Sequence, residues 1–148
     1  MHLIRNITES DLYGGEARFM DEVSRDASRG ILLNEQGQIA IMKLSATHLY
    51  KLPGGGIEDG EKAEVAFLRE IKEETGYDAV IKLYLGYIDE HKVKNRFLQR
   101  SHCYIAVVAS VQGTIDLTEE ELVLGMQMEW MRVASSSLCS KIIHRNVG

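Results

Sequence analysis

Glu70, Glu73 and Glu74 lie in the stretch Arg69-Glu70-Ile71-Lys72-Glu73-Glu74, and their spacing decides what they can do. Residues three and four apart are neighbours on a helix, so the three carboxylates share one face. On the helical wheel Glu74 falls between Ala63 and Phe67, at the edge of an apolar arc completed by Leu68 and Ile71. Two unit charges about 4 Å apart repel by about 4 kcal/mol at an effective dielectric of about 20. A glutamate against an apolar arc cannot easily turn to water to escape that. A raised carboxyl pKa, a neighbouring arginine or a divalent cation would each relieve the cluster. Arg69 offsets one charge, and the remaining oxygens suit Mg²⁺ or Mn²⁺, which prefer such ligands. Taken alone, Glu-x-x-Glu-Glu reads first as a solvated acidic face, since Glu is a good helix former. The residues ahead of it change that. Leu52-Pro53-Gly54-Gly55-Gly56 has a backbone that can come close to a ligand and present carbonyls or amides. An acidic helix repels phosphate by itself, but a dication bridging the two makes the same face a site for a phosphate chain. Loop and helix together point to metal-dependent phosphate chemistry.

The elements that must position these groups follow from periodicity. Residues 61–75 carry the strongest helical pattern, and Gly76 supplies the stop. Between Pro53 and Gly60, four glycines and one proline in eight residues predict a loop rather than a regular element. Two apolar runs, 30–33 and 38–44, flank Asn34-Glu35-Gln36-Gly37 and predict a β-hairpin. Residues 79–88 and 101–109 read as long strands, with the charged stretch 89–100 as a connecting loop with ragged strand ends. An acidic patch, Thr118-Glu119-Glu120-Glu121, reads as a solvated loop ahead of a strand at 127–133. A short helix is expected from Ser135. Residues 1–25 are weakly patterned and read as an N-terminal arm or edge strand. The layout is one α+β domain over 1–148 with a mixed sheet.

Composition narrows the classes. The chain has 148 residues, 45% apolar and 26% charged, which excludes disordered, coiled-coil and collagen-like readings. Its net charge of −5, from 17 basic and 22 acidic residues, argues against nucleic acid as a partner and leaves a small anion held locally through a metal. No run approaches the roughly 18 apolar residues of a membrane span, and residues 1–6 lack a secretory pattern. Cys103 and Cys139 show no metal-ligand spacing and read as thiols of a cytoplasmic protein. Arg25 and Arg29, before the first core strand, are candidate phosphate clamps, bidentate Arg being suited to that role. Tyr50 is a candidate substrate contact by its position beside the glycines. Trp130 and Met128 at strand spacing read as core. His91 and His102 flank a basic loop, Lys92, Lys94, Arg96 and Arg100, that reads as a solvated turn.

Gly55, five residues, Glu61, seven residues, then Arg69-Glu70-Ile71-Lys72-Glu73-Glu74-Thr75-Gly76-Tyr77 resembles the Nudix box, Gly-x5-Glu-x7-Arg-Glu-U-x-Glu-Glu-x-Gly-U with U bulky and apolar. Every specified position fits, Tyr77 most loosely. The resemblance implies an α/β/α sandwich around a central mixed sheet. It also implies an enzyme that hydrolyses a nucleoside diphosphate linked to another moiety, using Mg²⁺ or Mn²⁺ and an attacking water. Carried over, Glu70, Glu73 and Glu74 would bind metal, with Glu70 an alternative general base and the Gly54 carbonyl a backbone ligand. Arg69 would hold the glutamates and Glu61 would be structural; Gly55, with Tyr50 and Arg29 by their own positions and chemistry, is a candidate substrate contact. Members often recruit one more acid from a distant loop; Glu119, Glu120 and Glu121 are candidates, Glu121 favoured, with Glu90 a further one. The leading substrate is a nucleoside triphosphate, as in the MutT-like housecleaning branch. Dinucleoside polyphosphates, nucleotide sugars, ADP-ribose and RNA 5′ ends are alternatives, RNA being disfavoured by charge. A non-enzymatic nucleotide sensor stands last, because every box carboxylate is kept. Frequent dimers among relatives admit a homodimer.

Overall fold

The computed structural model describes residues 2–133. In chain order the elements are β1 (Leu3–Thr8), α1 (Glu9–Tyr13), β2 (Arg25–Leu33), β3 (Gln38–Leu44), β4 (Leu49–Lys51), β5 (Gly54–Gly56), α2 (Ala63–Thr75), β6 (Ala79–Lys92), β7 (Phe97–Val108), α3 (Glu119–Val123) and β8 (Met126–Arg132). The eight strands form one sheet in the order β1-β6-β7-β2-β3-β4, with β5 added to β2 and β8 to β3. β1 runs parallel to β6 and β2 parallel to β7, while the other pairings are antiparallel. The expected α+β architecture with a central mixed sheet holds. Among the described residues one long helix, α2, covers one face; the short helix expected from Ser135, and Cys139, lie outside them.

α2 forms where its periodicity places it. Phe67 and Ile71 are fully buried on Leu32, Ala40, Tyr104 and Ala106, and the Phe67 and Tyr104 rings stack at 5.4 Å. Burying each such side chain contributes roughly 1.5–3 kcal/mol, and this fixes the helix on the sheet. Gly76 ends it in the left-handed conformation, φ 79°, its N–H donating to the Lys72 carbonyl. The other face of the sheet has its own cluster of Leu33 and Ile105, flanked by Ile31, Ile39, Val107 and Val133.

Two expectations need correction. The glycine run is not a loop: β5 is a strand, pairing Gly54, Gly55 and Gly56 with Arg29, Ser28 and Ala27. Composition marks glycine as a strand breaker, but here the missing side chains are what lets the strand fit. The connecting loop expected over 89–100 shrinks to residues 93–96, and the strand ends reach much further into it. β6 and β7 continue through it as a hairpin closed by a 3-10 turn, Val93–Asn95, with Arg96 at φ 50°. Asp89 and Arg100 face each other across the hairpin and pair through two bonds of 2.9 and 3.0 Å. His91 is buried, its Nδ1 accepting the Met20 N–H and its Nε2 bonded to Asn6 Oδ1. The polar residues there satisfy one another, so the strands tolerate them.

Candidate active site

β5 brings its backbone against α2. A Cβ on Gly55 would lie 2.6 Å from Glu70 Oε1, and one on Gly54, at φ 151°, would collide with the Ser28 carbonyl and Arg29. Ser28 Oγ donates to the Ala63 carbonyl at 2.7 Å and ties the start of α2 to β2, the strand that β5 pairs with. Glutamates and glycine backbone therefore meet because no side chain separates them.

Arg69 organises the acidic face. Its Nε and Nη2 donate to Glu61 at 2.8 and 2.9 Å, and Nη1 donates to Glu70 Oε1 at 2.9 Å and Glu73 Oε2 at 3.3 Å. Nη2 also donates to the Gly56 carbonyl at 3.0 Å. The hydrogen bonds to Glu61 raise the Arg69 pKa and hold the Glu61 carboxyl below its usual range. Burial pushes the Glu70 carboxyl upward against the pull of Arg69, with Glu73 and Glu121 adding to the rise. Glu74 is the extreme case, at 1% exposure. Its Oε2 accepts the Gly54 N–H at 3.2 Å, while Oε1 is buried with no partner among the described residues. Burial lifts its pKa to about 8; Lys51 opposes the rise and Glu70 adds to it.

These groups border an open cavity of about 450 Å³. Gly54, Gly55, Arg69, Glu70, Glu73 and Glu121 all line it, and Glu74 lies behind its wall. Tyr50 and Arg29 are not on that wall. Tyr50 pairs with Lys43 and is exposed, whereas Lys51 pairs with Met42 on the opposite face and reaches the cavity. Arg29 alternates with Ser28, whose hydroxyl meets α2, so Arg29 points to the other side of the sheet. Arg25 does line the cavity. Lys51 was missed in the sequence, because which face of a three-residue strand looks inward depends on its pairing with β3.

The acidic patch forms α3 rather than a loop. Thr118 Oγ1 accepts the Glu121 N–H at 3.2 Å and Glu121 Oε1 accepts the Thr118 N–H at 2.9 Å, a capping box that Thr-x-x-Glu signals in the sequence. Backbone bonds from Ser45 and Ala46 to Gly125 and Leu124 pin the end of α3 beside β3. Glu120 and Glu121 thereby join the cavity wall, and Glu119 and Glu90 do not. Lys92, Lys94, Arg96, His91 and His102 are also absent from it. Trp130 packs against Tyr77 and, with Met128, on the core beneath α2.

Among the described residues no three or more His, Cys, Asp or Glu side chains are placed close enough together to hold a metal ion as they stand. The donors nonetheless fit a hard dication. An unpartnered buried carboxylate oxygen on Glu74 is costly in isolation, and Glu70 and Glu73 beside it supply oxygens now restrained by Arg69.

A model of the NUDIX domain matches residues 23–145. A "Putative 8-oxo-dGTP diphosphatase" of Bacillus subtilis (strain 168) is 38% identical over 89 residues, 60% of this chain and 57% of that protein. An "RNA pyrophosphohydrolase" of Wolbachia sp. subsp. Brugia malayi (strain TRS) is 47% identical over 49 residues, 32% of this chain and 30% of its own length. The chain thus spans less than two thirds of either relative. The crystal structure of a MutT NUDIX hydrolase from Burkholderia pseudomallei superimposes with a TM-score of 0.58 at 18% identity, covering 84% of this chain and 98% of that one. At that identity the likeness is one of fold.

Proposed function

This chain belongs to the Nudix family, and from that premise we propose that it is a Mg²⁺- or Mn²⁺-dependent pyrophosphohydrolase. Its substrate is a nucleoside diphosphate linked to another moiety, a nucleoside triphosphate first among them. The observation that carries the reading is the buried, unpartnered Glu74 oxygen beside Glu70, Glu73 and the glycine strand. Glu70, Glu73 and Glu74 hold the metal, with the Gly54 carbonyl as a backbone ligand. A dication held by these residues would supply charge to offset diphosphate oxygens and to lower the pKa of an attacking water. Arg69 sets the carboxylates at their spacing and does not touch substrate. Glu121 has one oxygen tied to Thr118 and the other without a hydrogen bond among the described residues, so it can take the water's proton; Glu70 is the second candidate. Attack is in line at phosphorus, and positioning and electrostatics supply most of the acceleration.

No described helix is long and apolar enough to cross a membrane. Cys103, a buried free thiol, accords with a reducing, cytoplasmic setting. The test is a nucleotide panel with Mg²⁺ and identified products. Release of pyrophosphate or phosphate from a nucleoside triphosphate is expected. No release from any nucleotide, with no metal binding by calorimetry, would overturn the reading and leave a nucleotide-sensing domain.

A further inference from the structure

The cavity over α2 is crowded with negative charge. Glu58, Glu70, Glu73, Glu120 and Glu121 line it, and Glu74 stands behind. Three cations share the wall, Arg25, Lys51 and Arg69. A guanidinium has five N–H donors, and those of Arg69 are taken up by Glu61, Glu70, Glu73 and the Gly56 carbonyl. Arg69 therefore has nothing left for a ligand.

Arg25 and Lys51 differ from it. Among the described residues Arg25 makes one side-chain hydrogen bond, to Gln99 at 3.3 Å, and no ion pair. Lys51 makes neither, although its charge is felt at Glu74. Two cations beside so many carboxylates, yet bonded to none of them, are free to bind an anion that enters. Their placement says which anion. Gly56 pairs with Ala27, two residues from Arg25, and a Cβ on Gly56 would lie 2.9 Å from Arg25 Nη2. Lys51 stands three residues ahead of Gly54, at the opposite end of β5. Gly55, which faces Glu70, lies between them. The two cations therefore bracket the carboxylate cluster along the glycine strand.

We propose that Arg25 and Lys51 grip the two ends of a polyphosphate chain, making the site selective for three or more linked phosphates over a diphosphate capped by neutral sugars. This rests on the pyrophosphohydrolase reading above. A phosphate over the glutamates would be screened by metal, and the phosphates on either side of it each gain a charge-assisted contact with one cation. A diphosphate with sugars on both sides leaves at least one of the two cations without a phosphate.

The experiment compares wild type with Arg25→Gln, Lys51→Gln and the double variant, all with Mg²⁺. Both side chains reach the open cavity, and melting temperatures should stay within a few degrees of wild type. Calorimetry with inorganic tripolyphosphate and pyrophosphate reads chain length without depending on turnover. Wild type is expected to prefer tripolyphosphate by about tenfold or more, and each variant to lose about tenfold for tripolyphosphate but less than about threefold for pyrophosphate. In turnover of a nucleoside triphosphate, KM should rise about tenfold with kcat nearly constant, and Arg25→Lys and Lys51→Arg should recover most of it. Equal losses for both anions, or no loss in either variant, would overturn the proposal. A wild type that binds tripolyphosphate selectively but hydrolyses no nucleotide would sink the catalytic reading and leave this one standing.

Discussion

Glu74 is where burial and charge conflict most sharply, and its titration has a sign that can be checked. Its carboxyl, lifted from an ordinary value near 4.5 to about 8, keeps in the folded state a proton that the unfolded chain has released by neutral pH. The folded state then binds more protons than the unfolded one between those values, so stability falls as pH rises through that window. Glu70 is shifted the same way and adds to the slope. We expect urea midpoints of the metal-stripped protein to drop between about pH 5 and pH 8, by on the order of a few kcal/mol in total. Glu74→Gln should flatten that slope, and saturating Mg²⁺ should flatten it too, because the cation then compensates the charge. A slope unchanged in Glu74→Gln would show that other groups produce it. Glu73 presents the complementary case. It is partly open and held only by Arg69 at 3.3 Å, so Glu73→Gln deletes little packing. Activity should fall by about a hundredfold or more while the melting temperature moves only a few degrees. Full activity in that variant would remove Glu73 from the metal ligands.

Elements, rather than single groups, decide whether these carboxylates meet the backbone. Gly55→Ala puts a methyl at the position 2.6–2.9 Å from the Glu70 carboxylate, so either Glu70 leaves Arg69 or β5 lifts from β2. We expect a destabilisation of about 1–3 kcal/mol together with a large loss of kcat, read from thermal melts and steady-state rates. At α3, Thr118→Ala removes a cap worth about 1 kcal/mol and loosens Glu121, which should lower kcat only severalfold. Glu121→Gln keeps an acceptor for the Thr118 N–H but cannot take a proton. If Glu121 is the base, this variant loses about a hundredfold in kcat with the cap intact; near-normal turnover would hand the role to Glu70. These elements were unequally legible in the sequence. α2 and its carboxylate face could be read because periodicity and Gly76 are local signals. So could the burial of Glu74, from its place on the wheel. β5 could not, because composition records what glycine lacks and says nothing of the backbone that approaches it. The hairpin arm at 89–100 was hidden by charges whose partners, Asp89 with Arg100 and His91 with Asn6, lie far apart in the chain. The inward turn of Lys51 instead of Tyr50 is likewise set by β3, not by β4 itself.

Charge across the whole molecule bears on which triphosphate the proposed site would accept. One relative of this chain is named for a free nucleotide and another as an RNA pyrophosphohydrolase, and under the proposed function a nucleoside triphosphate and a triphosphorylated RNA would present the same phosphates to the same carboxylates. What differs is everything beyond the first nucleotide. A longer RNA gains affinity by releasing counterions from each further phosphate that a Lys or Arg neutralises. This chain carries a net charge of −5, and among the described residues the basic cluster around the β6–β7 turn makes no track to the site: Arg100 is bonded to Asp89, and Lys92, Lys94 and Arg96 lie off the cavity wall. Each added nucleotide should therefore bring repulsion rather than contact. With a mononucleoside triphosphate and a 5′-triphosphorylated oligonucleotide of about 15 nucleotides side by side, we expect kcat/KM to favour the mononucleotide by about tenfold or more near physiological salt. Raising the salt should narrow that gap, because screening weakens the repulsion felt by the longer chain. A gap that widens with salt, or an oligonucleotide preferred at low salt, would mean that a basic track exists and that RNA is the substrate the molecule is shaped for.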